Sequence, residues 1–143
     1  MKEEPATQSW LDALAGHGAR QTAALRAICE VLAASPRALD ALEIFEEGRK
    51  RCAGLGLVTV YRTLEILEEL GLAARVHLPG GCNRYIRSAA GHQHLMICSA
   101  CGQAEYFEGD DLTRLFQQVA GKNSFQVQEH WLQLFGLCRA CQA

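Results

Sequence analysis

Residues 57–87 read LVTVYRTLEILEELGLAARVHLPGGCNRYIR, and the pattern changes period in the middle of that stretch. Val60, Leu64 and Leu67 recur at helical spacing, which predicts a helix from Val58 to Leu70, and Gly71 is the left-handed residue expected to end it. Beyond Gly71 the spacing shortens. Ala73 to His77 and Asn83 to Ile86 read as two strands around Leu78-Pro79-Gly80-Gly81-Cys82, a segment rich in turn formers, and together they make a β-hairpin.

Upstream of this stretch the chain reads as helices. Trp10, Leu11 and Leu14 mark an amphipathic helix ending near Gly16-His17-Gly18. Thr22 is the expected N-cap for the run Leu25, Ile28, Cys29 and Leu32, which Ser35-Pro36 closes. Asp40 can cap a further helix carrying Leu42, Ile44 and Phe45, with the segment from Arg49 to Gly56 as the loop that ends it. Helices followed by a hairpin in this order are the order of a winged helix, in which the last helix enters the major groove. Thr59, Tyr61, Arg62 and Thr63 lie at the N-terminal end of that helix, off its apolar stripe, and are the expected base- and phosphate-contacting residues. Arg20, Arg26 and Arg75 are further candidates for phosphate contacts.

After Arg87-Ser88-Ala89-Ala90-Gly91, which reads as a hinge, the composition changes again. Cys98-Ser99-Ala100-Cys101 and Cys138-Arg139-Ala140-Cys141 are matched CxxC pairs with 36 residues between them. Two sulfurs of a CxxC can converge on one ion, so the twin pairs supply the four thiolates of a closed tetrahedral zinc site. Gly102 and Gly136 fit the tight turns such a site needs. Between the pairs we expect a helix from Asp110 to Ala120 and a strand from Phe125 to Phe135. The expected division is residues 1–87 for the winged helix, 88–91 for the hinge and 92–143 for a second, metal-binding unit.

His92 and His94 stand two apart just before the first CxxC, so on a strand their imidazoles face one side and could share a second metal. Cys82 is the one additional thiol placed to act as a soft ligand, whereas Cys29 falls in a helix core stripe. A redox CxxC, disulfides or buried thiols are the other readings of the cysteines, and none explains why the pairs come as twins.

Bulk properties bound the rest. The chain has 143 residues, 49% of them hydrophobic, enough for one good core or two small ones. Its seven cysteines, an odd number, suit a reducing compartment, and no apolar run approaches the about 18 residues of a membrane span, so the expectation is a cytoplasmic protein without a membrane partner. Net charge is −2, and residues 1–80 hold nine Lys/Arg against eleven Asp/Glu, so any DNA contact must come from a local patch. No phosphate loop, GxSxG elbow or HExxH helix is present, and the deaminase pattern fails at His92-Gln93-His94 and Ile97-Cys98, so an enzyme is not expected.

Three stretches together resemble the ferric uptake regulator superfamily of metal-responsive repressors. They are residues 56–64 (GLVTVYRTL), the HxH-to-CxxCG segment 92–102, and residues 130–141 with the closing CxxC. The resemblance runs from about Thr22 to the end of the chain. It implies an α+β fold, an N-terminal winged helix-turn-helix domain followed by a small α/β dimerisation domain with the four-cysteine zinc site. It also implies a homodimer on double-stranded operator DNA, structural zinc on Cys98, Cys101, Cys138 and Cys141, and a regulatory divalent metal near the hinge. For the regulatory metal it points to His92 and His94, with Glu105, His77 and His130 as further candidates and Asp110 or Asp111 as oxygen donors beside His130. Where the family often has a His before the second helix of its DNA-binding unit, this chain has Arg37-Ala38, and Tyr106 stands at the position of an acidic ligand. Nitrogen with carboxylate oxygen suits iron or manganese as well as zinc, while Cys82 would tilt the site to zinc. The function so implied is a zinc- or iron-responsive repressor of metal homeostasis. A peroxide or redox sensor on the same scaffold and a zinc-stapled interaction module are the alternatives.

Overall fold

The computed structural model describes residues 4–78, 80–91, 93–109 and 112–142. Four helices lead, α1 (Glu4–Gly16), α2 (Ala23–Ala34), α3 (Ala41–Arg51) and α4 (Leu57–Glu69), followed by the hairpin β1 (Ala73–His77) and β2 (Asn83–Arg87). The second unit holds β3 (His94–Cys98), β4 (Ala104–Phe107), α5 (Thr113–Lys122), β5 (Gln133–Gly136) and a 3-10 turn, Arg139–Cys141.

Local chemistry starts and stops the helices where expected. Thr22 accepts from the Leu25 amide to open α2. At α3 the Asp40 carboxylate accepts from the Glu43 amide at 2.8 Å while Glu43 Oε2 accepts from the Asp40 amide at 2.9 Å, a reciprocal capping box. Asp40→Ala should therefore cost about 1 kcal/mol, read as a lower denaturation midpoint at unchanged slope. Gly71 has φ +70, the left-handed turn that ends α4. One boundary differs from expectation: α3 continues through Arg49, Lys50 and Arg51, because three cations in a last turn favour the negative end of a helix rather than a loop.

The four helices enclose one apolar core, with Leu11 and Leu14 from α1, Ile28 and Leu32 from α2, Ile44 from α3 and Val60, Leu64 and Leu67 from α4 all buried. β1 and β2 pair antiparallel from Ala73↔Arg87 to His77↔Asn83. The second sheet has the order β4-β3-β5, antiparallel at β4 and parallel at β5. β4 has no counterpart among the elements expected from the sequence, and the strand expected over 125–135 is limited to Gln133–Gly136. A second, smaller core joins the two units: Val76 and Ile86 from the hairpin, Ala38 ahead of α3, and Leu95 and Ile97 from β3 are buried together.

Candidate functional site

The register of β3 against β5 builds the sulfur cluster. Parallel pairing runs from Leu95↔Gln133 to Cys98↔Gly136, so the C-terminal ends of both strands lie at the same end of the sheet and each leads into its CxxC. The first turn closes by Gly102 N–H donating to Cys98 O at 2.9 Å and Cys98 N–H to Gln103 O at 2.8 Å, with Gly102 at φ +80. The second closes by Cys141 N–H to Cys138 O at 2.9 Å, and Ser99 N–H donates to Gly136 O at 2.8 Å, tying one knuckle to the other. Gly136 is thus a strand residue that receives the first knuckle, not the turn residue expected from the sequence.

Cys98, Cys101, Cys138 and Cys141 bring their sulfurs within 4.8 Å of one another, the only convergence of three or more donor side chains among the described residues. Cys101 Sγ and Cys138 Sγ are 3.7 Å apart. Four sulfurs at about 2.3 Å from a tetrahedral zinc would be spaced about 3.8 Å, so the cluster has the size zinc requires. The thiols also conflict in the way a cation relieves. Backbone N–H groups of Cys138 and then Cys101 aimed at Cys98 lower it to about 6, while Cys141, donating to the sulfurs of Cys138, Cys98 and Cys101, is pushed up to about 12. Four thiolates this close repel, and a divalent cation supplies the missing positive charge.

On α4 the solvent-exposed side is Val58, Tyr61 and Arg62, spaced i, i+3 and i+4, with Val58 64% and Tyr61 49% exposed. Thr59 is half-buried beside them and Arg20 is exposed in the loop before α2. Thr63 does not belong to this face. It is buried, because it stands three residues after Val60 and beside Leu64 on the core side of the helix, and its Oγ1 donates to Thr59 O at 2.7 Å. Val58 shares this exposed face although it is not among the residues expected there, and its i, i+3, i+4 relation to Tyr61 and Arg62 is legible in the sequence. Of the other basic candidates, Arg26 is exposed, donating to Gln8 Oε1, while Arg75 is engaged by Glu68 at 2.8 Å and by the Tyr85 ring.

The histidines divide. His94 is buried, with ring centroids 5.5 Å from Phe107 and 5.8 Å from His130, which in turn lies 4.5 Å from Phe116. His77 is exposed at the end of β1 and Glu105 is exposed on β4 opposite Met96, so neither joins that pair in one cluster. His77 and His130 do line one cleft of about 900 Å³ with Glu68, Arg75, Gln93 and Glu129. His92, Asp110 and Asp111 lie outside the described residues. Cys82 is exposed in the hairpin turn, and burial pushes the Cys29 thiol up to about 12, which makes it inert.

The second unit also shows apolar surface that one chain leaves uncovered. On α5 only Ala120 is buried while Leu115 and Val119 are each 53% exposed, and Met96 and Leu134 are exposed on the sheet. Among the described residues no helix is long and apolar enough to cross a membrane.

The ferric uptake regulator family matches residues 16–135. The zinc uptake regulation protein of Mycobacterium tuberculosis is 30% identical over 126 residues, which is 88% of this chain and 97% of that protein. The ferric uptake regulation protein of Campylobacter upsaliensis is 34% identical over 89 residues, 62% of this chain and 57% of that protein. Among solved structures, the ferric uptake regulator of Vibrio cholerae superposes with a TM-score of 0.69 at 29% identity, covering 89% of this chain and 98% of that one.

Proposed function

The chain belongs to the ferric uptake regulator family, and we propose that it is a metal-dependent repressor that binds operator DNA as a homodimer and controls metal homeostasis. It is a regulator and not an enzyme. The observation that carries this reading is the exposed α4 face of Val58, Tyr61 and Arg62 at the end of a winged helix. Arg62 is placed to reach guanine O6 and N7 or a phosphate, and Val58 and Tyr61 to pack on thymine methyls. Residues 1–87 form the DNA-binding unit, 88–91 the hinge and 92–143 the dimerising unit, whose uncovered α5 face is the surface a second copy buries. A two-fold dimer presents two α4 helices to half-sites about 34–36 Å apart.

Zinc on Cys98, Cys101, Cys138 and Cys141 is the structural metal of this reading, one per chain, and it supplies folding energy to the second unit. The regulatory metal is zinc or ferrous iron, with manganese as the third candidate. His94 and His130, whose rings stand 5.8 Å apart, are candidate ligands for it, with His92 adjacent in sequence and His77 and Glu105 as further candidates. With DNA as its target, the protein works in the cytoplasm.

The test begins with a palindromic duplex selected from a random library by the full-length protein. Binding should strengthen on addition of zinc or iron. Arg62→Ala should lose about 1–3 kcal/mol of affinity for that duplex, with relaxed preference at one base position. Unchanged affinity and unchanged salt dependence in the variant would remove α4 from the groove.

A further inference from the structure

The first cysteine knuckle touches the DNA-binding unit directly. Gln103, just past the knuckle, forms an antiparallel bridge with Arg37, and Gly102 O accepts from Ala38 N–H at 2.9 Å. Ala38 is fully buried in the core shared by β1, β2 and β3, two residues ahead of the Asp40 cap that starts α3. Arg84 on β2 closes the arrangement. Its Nη1 donates to Ala38 O at 3.2 Å and lies 3.6 Å from Glu43 Oε2, the oxygen that also accepts the Asp40 amide. Leu39 and Tyr85 exchange two backbone hydrogen bonds of 2.9 and 2.7 Å beside it.

The approach is tight enough to require glycine in the knuckle. A Cβ on Gly102 would stand 2.7 Å from Arg84 Nη1 and 3.1 Å from Ala38 O, and its φ of +80 is itself unfavourable for other residues. Arg84 is therefore a wing arginine turned inward, its side chain 22% exposed, rather than one offered to phosphate. The hinge itself contributes less, with Ser88 N–H to Leu72 O at 2.9 Å and the Tyr106 hydroxyl to Arg87 O at 2.8 Å.

We propose that the turn from Cys98 to Gln103 is the docking element that orients the DNA-binding unit on the dimerising unit, and that Arg84 is the positioning residue that fastens it. The inference rests on the DNA-binding reading above. In a dimer that must place two α4 helices at a fixed spacing, orientation acts through effective concentration: the second helix finds its half-site only if the first fixes it nearby in the right pose. Ala38 leads directly into α3, so a bond at Ala38 holds the helices that carry α4.

The experiment uses full-length Arg84→Ala and Arg84→Lys beside the wild type. Hydrogen exchange of the 37–40 amides is measured, together with binding to the selected palindrome and to the same duplex with one half-site scrambled. Arg84→Ala should speed exchange at Ala38 about tenfold or more. It should weaken palindrome binding about tenfold or more while leaving single-half-site binding, zinc content and the dimer unchanged. Arg84→Lys should restore most of both effects, because a single nitrogen serves both acceptors here and an ammonium can do the same. Equal losses on both duplexes, or exchange and palindrome binding that do not change, would overturn the proposal. If the alanine variant does not fold, Arg84→Met keeps the aliphatic stem and the same readouts decide. Failure of the wild type to select any duplex would refute the DNA reading instead, and the exchange rates would still judge the docking.

Discussion

Cys141→Ser is expected to empty the four-sulfur site, lowering bound zinc by about one per chain, and to convert the dimer to monomers with an unfolded second unit. Serine oxygen is a poor replacement for thiolate, and beyond β3 the unit has little apolar burial to hold it: α5 buries only Ala120 and every residue of β5 except Gln133 is exposed. Where a metal site forms only in the folded state, its binding energy is folding energy, about 10–16 kcal/mol for structural zinc at neutral pH. The helical core is separate, so it should keep its own melting transition. Metal analysis with light scattering reads the first two effects and calorimetry the third. A variant that retains its zinc and its dimer would refute the assignment.

Leu64→Ala should destabilise the DNA-binding unit by about 2–5 kcal/mol, a large share of the about 5–15 kcal/mol that holds a domain of this kind. Leu64 is 1% exposed on the inner side of α4, packed in the core to which α1, α2 and α3 also contribute. The cost combines the lost transfer energy of the side chain with the cavity left behind. Zinc content should not change, because the cysteine cluster shares no side chain with this core. Denaturant unfolding followed by far-ultraviolet dichroism measures the loss. A midpoint within a few tenths molar of wild type would mean that this core does not set the stability of the unit. Together the two substitutions separate the two sources of stability, a metal at one end and apolar packing at the other.

The helical half was legible because its signals are local. Thr22, Asp40 and Gly71 act on the amides and dihedrals of their own turns, and the stripe Val60, Leu64, Leu67 is one helix face whatever surrounds it. The second unit was read less well for the opposite reason. Ala104–Phe107 is a strand because β3 lies beside it, and four residues carry too little alternation to announce themselves. The stretch before Gln133 looks extended in sequence, yet only the last part finds β3 to pair with.

Sequence alone determined the chemistry of the four-sulfur site, since four thiols in twin CxxC pairs can be counted without knowing where they lie, and it singled out the helix proposed to face DNA. Tertiary structure decided which side chains were free to use that chemistry. Thr63 is polar in sequence but turned to the core, while Arg84 and Arg75 are cations spent on Ala38, Glu43 and Glu68 inside the molecule. His94, a favoured ligand by sequence, meets His130, a further candidate, whereas the other candidates His77 and Glu105 do not join that ring pair. The physical reason is that donor type belongs to a residue, whereas convergence belongs to the packing of segments far apart in the chain, and no local periodicity encodes it.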